Sequence, residues 1–281
     1  MVAALSPSRA SDFKQCPLLY RFRVIDRLPT TPSPAAARGT LVHAVLERVF
    51  DLPAHERTPE AAAALVAPAW ARLVEAEPEL AGLLDADDDG AADAWYAQAA
   101  ALVQRWFTLE DPTRLEPAER ELYVEAEVDG LTLRGYVDRL DVAADGALRV
   151  VDYKTGRSPS ELFERASLFQ MKFYALVLWR RRGVLPRMLQ LVYLGNGELV
   201  CYQPDEADLL AAERNIKALW AAIERAALTD DWRPRTSRLC DWCDHRALCP
   251  AWGGTPPPLP PDARSRALDP AVAGAAEPAD D

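Results

Sequence analysis

A mixed α/β (α+β) fold is predicted by three features of the chain. Apolar residues recur at helical spacing over 35–50, 59–77 and 91–110. Strand-like runs separated by Asp-Gly pairs then fill 121–154, and helical and strand-like segments alternate from there to about residue 227. The chain of 281 residues is long enough for a substantial core and sits at the upper end of one domain.

The proline-rich entry LPTTPSPAAARG (28–39) leads into the first long helix, AAARGTLVHAVLERVF. Two alanine-rich helices follow at 59–77 and 91–110, separated by the acidic loop LLDADDDG (83–90). ELYVEAEV (121–128), LTLRGYVDRLDV (131–142) and ALRVVDYK (147–154) read as an antiparallel meander, with hairpin signals at Asp129-Gly130 and Asp145-Gly146. A helix over 163–182 comes next. RMLQLVYL and GELVCYQ form two further strands joined at Gly195-Asn196-Gly197, and a helix covers 205–227. The tail from Gly253, rich in Pro, Ala and Asp, is expected to be disordered.

No run approaches the roughly 18 apolar residues of a membrane span, and the first residues lack a basic segment leading into an apolar one. A cytoplasmic protein with no membrane partner is expected. The net charge of −11 argues against wholesale coating of a polyanion, yet residues 157–187 carry seven Arg or Lys against two Glu, enough for a local phosphate-binding surface. Within that segment Arg180, Arg181 and Arg182 read as a solvated helix end. No GxxxxGK[ST] loop is present, so nothing indicates an ATP-driven motor.

The sharpest chemistry lies in GYVDRLD and VVDYKTG. Asp152 and Lys154 are two apart on a strand and share a face. A three-residue turn, Ala144-Asp145-Gly146, with Gly146 left-handed, pairs Ala143 with Ala147 and therefore Asp138 with Asp152. Carboxylates opposed across a ladder, with Cβ atoms roughly 4.5–5.5 Å apart, repel unless a cation lies between them, and a hard ion such as Mg2+ suits oxygen ligands. A slip of one residue would move Asp138 to the other face. An isolated D-x-K is an ordinary solvent-facing pair; the second acid in an otherwise apolar strand is what changes its meaning.

GxxDRxD followed by D-Y-K-T-G resembles the active-site hairpin of the PD-(D/E)XK nuclease superfamily, in its RecB-type exonuclease branch. The resemblance makes Asp138, Asp152 and Lys154 the central catalytic residues and His43, in RGTLVHAVLE, a further ligand for Mg2+ or Mn2+. On its own His43 is a core or surface histidine. Glu47, one turn later, is a weaker candidate ligand. QMKFYALVL matches the branch's Q-x-x-x-Y motif at Gln170 and Tyr174, which the resemblance assigns to substrate positioning. The second acid is Asp152 where Glu is commoner, and Glu127 and Asp141 are nearby acids without an assigned role. The implied fold is a restriction-endonuclease-like core, a mixed central sheet flanked by helices.

The five cysteines are an odd set, which in a reducing compartment points to metal ligation plus one spare thiol, Cys201. Cys240, Cys243 and Cys249 form CxxC-x5-C, which alone fits zinc with His245 as fourth ligand. The resemblance adds Cys16, one cysteine before the core and three after it, as in nucleases carrying a [4Fe-4S] cluster. Closing so long a loop costs a free chain roughly 5 kcal/mol, which a cluster clamping both terminal segments would offset.

The resulting organisation is an N-terminal segment with the first cluster cysteine (1–34), a helical region with the histidine (35–118), the nuclease core (119–232), a cysteine segment (233–252) and the tail (253–281). The implied activity is metal-dependent DNA exonuclease action in repair or recombination, on ends already available or beside a helicase or other repair protein. A CRISPR spacer-acquisition nuclease shares the same motifs. A non-catalytic DNA-binding iron-sulfur module is the alternative that intact Asp138, Asp152 and Lys154 oppose.

Overall fold

The computed structural model of the chain describes residues 3–84, 89–158 and 161–269. It begins with β1 (Ala4–Leu5), α1 (Pro7–Gln15), α2 (Pro17–Tyr20) and a π-helical turn at Arg21–Ile25. α3 (Pro34–Val49) starts at Ser33, whose hydroxyl accepts from the Ala36 amide, with proline at the first helical position. Thr58 starts α4 (Pro59–Ala64) in the same way. The single helix expected over 59–77 is two helices, broken at Leu65, with α5 (Val66–Ala76) beyond it. Pro68 lacks the N–H that would bond the Ala64 carbonyl, so one continuous helix cannot pass. α6 (Asp89–Trp106) ends four residues earlier than the expected 110.

The meander is as expected. β2 (Glu119–Val128) turns at Asp129 and Gly130, both left-handed (φ 51° and 79°), into β3 (Leu131–Val142). β3 turns into β4 (Leu148–Lys154) through Ala144-Asp145-Gly146, with Gly146 at φ 82° and the Ala143 amide donating to the Ala147 carbonyl at 2.9 Å. α7 (Glu161–Arg182) carries the chain over to β5 (Met188–Tyr193), which lies parallel to β4. β6 (Glu198–Tyr202), α8 (Glu206–Thr229) and α9 (Ala263–Leu268) complete the chain.

The sheet is mixed. β3 has β2 along one edge, while β1, parallel, and β4, antiparallel, share the other at opposite ends. Helices cover both faces, and strand alternation divides the core between them. Val150 and Leu191 pack with α1, α2, α7, α8 and α9, whereas Val151, Tyr153 and Val192 pack with α3 to α6.

The tail differs from expectation. Residues 253–269 are ordered and include α9, whose Ala263 and Ala267 are buried one turn apart. The Tyr20 hydroxyl donates to the Ala267 carbonyl at 2.7 Å, and Arg266 Nη1 donates to the Ile25 carbonyl at 3.1 Å. Composition averaged over the whole tail hides this i, i+4 alanine stripe, which lets a short helix approach the core closely. Residues 270–281, and 85–88 of the acidic loop at 83–90, lie outside the described residues. Among the described residues, no helix is long and apolar enough to cross a membrane.

Candidate active site

The two hairpin registers bring three carboxylates into one row. β2 and β3 pair Arg120 with Arg139 and Leu122 with Val137, so Glu121 faces Asp138. β3 and β4 pair Arg139 with Val151, so Asp138 faces Asp152. The row runs where β3 leaves β4, and Asp138 takes up the local slack: its Oδ2 accepts from the Tyr153 backbone amide at 2.7 Å. α3 brings His43 over it, with Nδ1 3.4 Å from Asp138 Oδ2. His43, Glu121 and Asp138 each offer a ligand atom within 4.8 Å of the others.

Asp152 and Lys154 alternate with Val151 and Tyr153 and so point toward α7. Both are buried, and Lys154 Nζ lies 3.2 Å from Asp152 Oδ2, an oxygen that accepts no aligned hydrogen bond. Lys154 Nζ also donates to Gln170 Oε1 at 2.9 Å, and Gln170 Nε2 donates to the Tyr174 hydroxyl at 3.3 Å. Tyr174 fills the space above Gly135, where an added Cβ would meet its ring at 2.7 Å. The Q-x-x-x-Y pair therefore holds the lysine from one helical face and seats against β3.

The electrostatics follow from packing like charges together. Burial pushes the Asp152 carboxyl up to about 6, against the pull of Lys154. Burial opposes protonation of His43, but the Asp138 carboxylate outweighs it and raises the imidazole to about 9. Burial likewise works to raise Asp138, and His43 more than reverses it, so that carboxyl titrates below its usual range. Glu121 is lifted to about 7 by burial and then by Asp138.

The donor set of two carboxylates and an imidazole, His43, Glu121 and Asp138, with the buried Oδ2 of Asp152 nearby and lacking an aligned donor, fits a hard divalent cation. Glu121 was not foreseen among the site residues. It has a φ of 43°, a left-handed backbone that costs a bulky residue on the order of 1–3 kcal/mol. Glu121→Gly should therefore be about 1 kcal/mol more stable than Glu121→Ala in urea unfolding. Both remove the carboxylate and only glycine releases the backbone; equal midpoints would show that no strain is held there.

The remaining acids are elsewhere. Glu47 is near enough to raise Glu121 but is outside the trio. Glu127 is exposed opposite Thr132. Asp141 pairs with Arg139 and Arg149. Behind the row, buried Arg139 binds Glu110 through both Nη atoms at 2.9 and 2.7 Å and donates to the Tyr153 hydroxyl at 2.6 Å. At the end of α7, Arg180 to Arg182 are exposed, and Arg180 pairs with Glu213 of α8.

Cys16, Cys240, Cys243 and Cys249 line one cavity, closed on its inner side by Leu18 and Phe22. Backbone amides of Arg235 and Ser237 donate to the sulfurs of Cys16 and Cys240 at 3.3 Å each. His245 is buried against Phe22 and is not among the residues lining the cavity; Cys201 is exposed on β6.

Residues 4–250 match the PD-(D/E)XK nuclease superfamily. The "Gene 69 protein" of Mycobacterium phage D29 is 30% identical over 198 residues, 64% of this chain and 70% of that protein. The protein of the same description from Mycobacterium phage L5 is 30% identical over 135 residues, 47% of this chain and only 44% of that protein. Among solved structures, a candidate exonuclease from Eubacterium rectale superposes with a TM-score of 0.55 at 15% identity, over 86% of this chain and 88% of that one. That likeness is one of fold.

Proposed function

The chain belongs to the PD-(D/E)XK nuclease superfamily, and from that premise we propose that it is a metal-dependent deoxyribonuclease of the RecB-type exonuclease branch, acting in DNA repair or recombination. The observation that carries this reading is the row Glu121–Asp138–Asp152 with His43 above it and Lys154 beside it. Mg2+ or Mn2+ held by His43, Glu121, Asp138 and Asp152 would supply Lewis-acid polarisation of a phosphoryl oxygen and a water acidified toward neutral pH.

The protein's own groups have separable tasks. Asp152 and Gln170 hold the Lys154 side chain at the row from two sides, where it can neutralise charge gathering on a phosphoryl group. Gln170 is the positioning residue for that lysine, and Tyr174 fixes Gln170 against Gly135. Asp138, tied to the Tyr153 amide, keeps one oxygen fixed while orienting His43.

The test is end-labelled single-stranded and duplex DNA with Mg2+, Mn2+ or EDTA, beside Asp152→Ala. Metal-dependent shortening that Asp152→Ala loses supports the nuclease and reads its polarity. Binding without cleavage under every condition would instead support a non-catalytic module.

For the four cysteines the reading is a structural [4Fe-4S] cluster. All four cysteines line one cavity, and the backbone amides of Arg235 and Ser237 donate to two of their sulfurs, contacts that cluster thiolates accept. Anaerobically purified protein should contain iron and acid-labile sulfide, and its removal should open the segments around Cys16 and Cys240 to protease. Stoichiometric zinc without sulfide would overturn this assignment.

A further inference from the structure

Tyr123 and Tyr136 face each other across β2 and β3 with ring centroids 5.4 Å apart, and they are 40% and 49% exposed. Large aromatic rings bring a high burial gain, and an exposed pair on a regular ladder lacks the packing that usually accounts for them. Their neighbours on the opposite face, Leu122, Val124 and Val137, pack into the core with α7 and α1. The tyrosines lie exposed on the other face.

Their position relative to the carboxylate row gives the pair a use. Glu121 and Asp138 lie beyond the Leu122–Val137 pair, two residues away on each strand, or about 7 Å. Tyr123 is held in place: its hydroxyl donates to Glu125 Oε2 at 2.5 Å, and Arg181 of α7 donates to its carbonyl at 3.3 Å. Glu125 and Glu127 lie farther along the same strand, opposite Arg134 and Thr132. That acidic edge disfavours a phosphate backbone running over the tyrosines, whereas the uncharged face of a base is indifferent to it.

We propose that Tyr123 and Tyr136 are a stacking platform for one unpaired base of a single-stranded DNA end, whose neighbouring phosphate reaches the carboxylate row. This rests on the nuclease reading above. A base still stacked in a duplex cannot offer its face to the rings, so the platform selects frayed or single-stranded ends. Arg134, opposite Glu125, lies beside the platform on the same face.

The experiment uses the full-length protein in EDTA, so that nothing is cleaved, with single-stranded oligonucleotides carrying 2-aminopurine at successive positions from either end. Wild type should quench one terminal position. The Tyr123→Leu/Tyr136→Leu protein should lose that quenching and bind the strand about tenfold more weakly, while the double Phe variant keeps both, because the ring and not the hydroxyl makes the contact. A strand abasic at the quenched position should bind wild type about tenfold more weakly and add nothing to the loss in the Leu variant, since both changes remove one contact. Equal binding by wild type and Leu variant, or additive losses, would overturn the platform while leaving the nuclease intact. Failure of wild type both to bind DNA here and to cleave it with Mg2+ or Mn2+ would overturn the nuclease reading and the platform together.

Discussion

Asp138→Asn should abolish cleavage while leaving the fold in place, with a loss in kcat/KM of at least about a thousandfold, roughly 4 kcal/mol of transition-state stabilisation. The substitution keeps shape and removes the charge at the centre of the row. It also removes the main support for protonated His43, whose imidazole is raised to about 9 from the usual 6.5. The linkage sign is fixed by that rise: the His43–Asp138 interaction stabilises the fold fully below the ordinary histidine value and is lost as pH climbs through 9. A histidine ligand must be neutral, so cation binding to wild type has to expel this proton, and apparent affinity should increase with pH up to about 9. In Asp138→Asn the His43 titration should fall well below 9. Only three histidines are present, His43, His55 and His245, so imidazole NMR can follow each. A wild-type His43 that titrates near 6.5 would refute the coupling, and full cleavage by the variant would refute the site.

The second large effect is on stability. Arg139→Met should cost about 3–5 kcal/mol in urea unfolding, because it strands the Glu110 carboxylate inside the protein. Glu110 is almost fully covered and accepts from Trp106 and Gln190 as well as Arg139, but those neutral donors do not balance its charge. Burial alone would raise the Glu110 carboxyl; the arginine's hydrogen bonds and charge reverse this and hold it below the ordinary range. Its stabilising contribution is thus present above the usual carboxylate range and disappears as pH falls through the depressed value. The double change Arg139→Met/Glu110→Leu should recover much of the loss, since an apolar pair of similar volume replaces a buried ion pair nearly neutrally. A double variant no more stable than Arg139→Met would mean that the arginine acts through packing on Phe50 and Tyr153 instead.

Much of this site was legible in the sequence because hairpin registers are arithmetic. The Asp145-Gly146 turn fixed Asp138 against Asp152, and the ladder has that register. The same counting across Asp129-Gly130 puts Glu121 against Asp138, so the missed carboxylate was within reach. Its left-handed backbone was not, since no local residue pattern demands φ 43° at a glutamate. The two-residue strand Ala4–Leu5 is too short to show alternation, and it exists only because β3 offers a vacant edge at Thr132 and Leu133. Arg139 read as part of a motif, but its partner Glu110 lies beyond the end of a helix that was expected to contain it, and only tertiary packing joins them.

A row of like charges raises the free energy of the folded chain, and whatever neutralises it is returned as resistance to unfolding. Under the metal-binding reading, a cation at a hundredfold its dissociation constant adds about 2.7 kcal/mol. The melting temperature of this protein is then a gauge of free divalent ion: chelator lowers it without touching the core, and a crowd of nucleotides competing for the same ion lowers it too. Glu121, Asp138 and Asp152 make the fold most durable where it is also armed to cut.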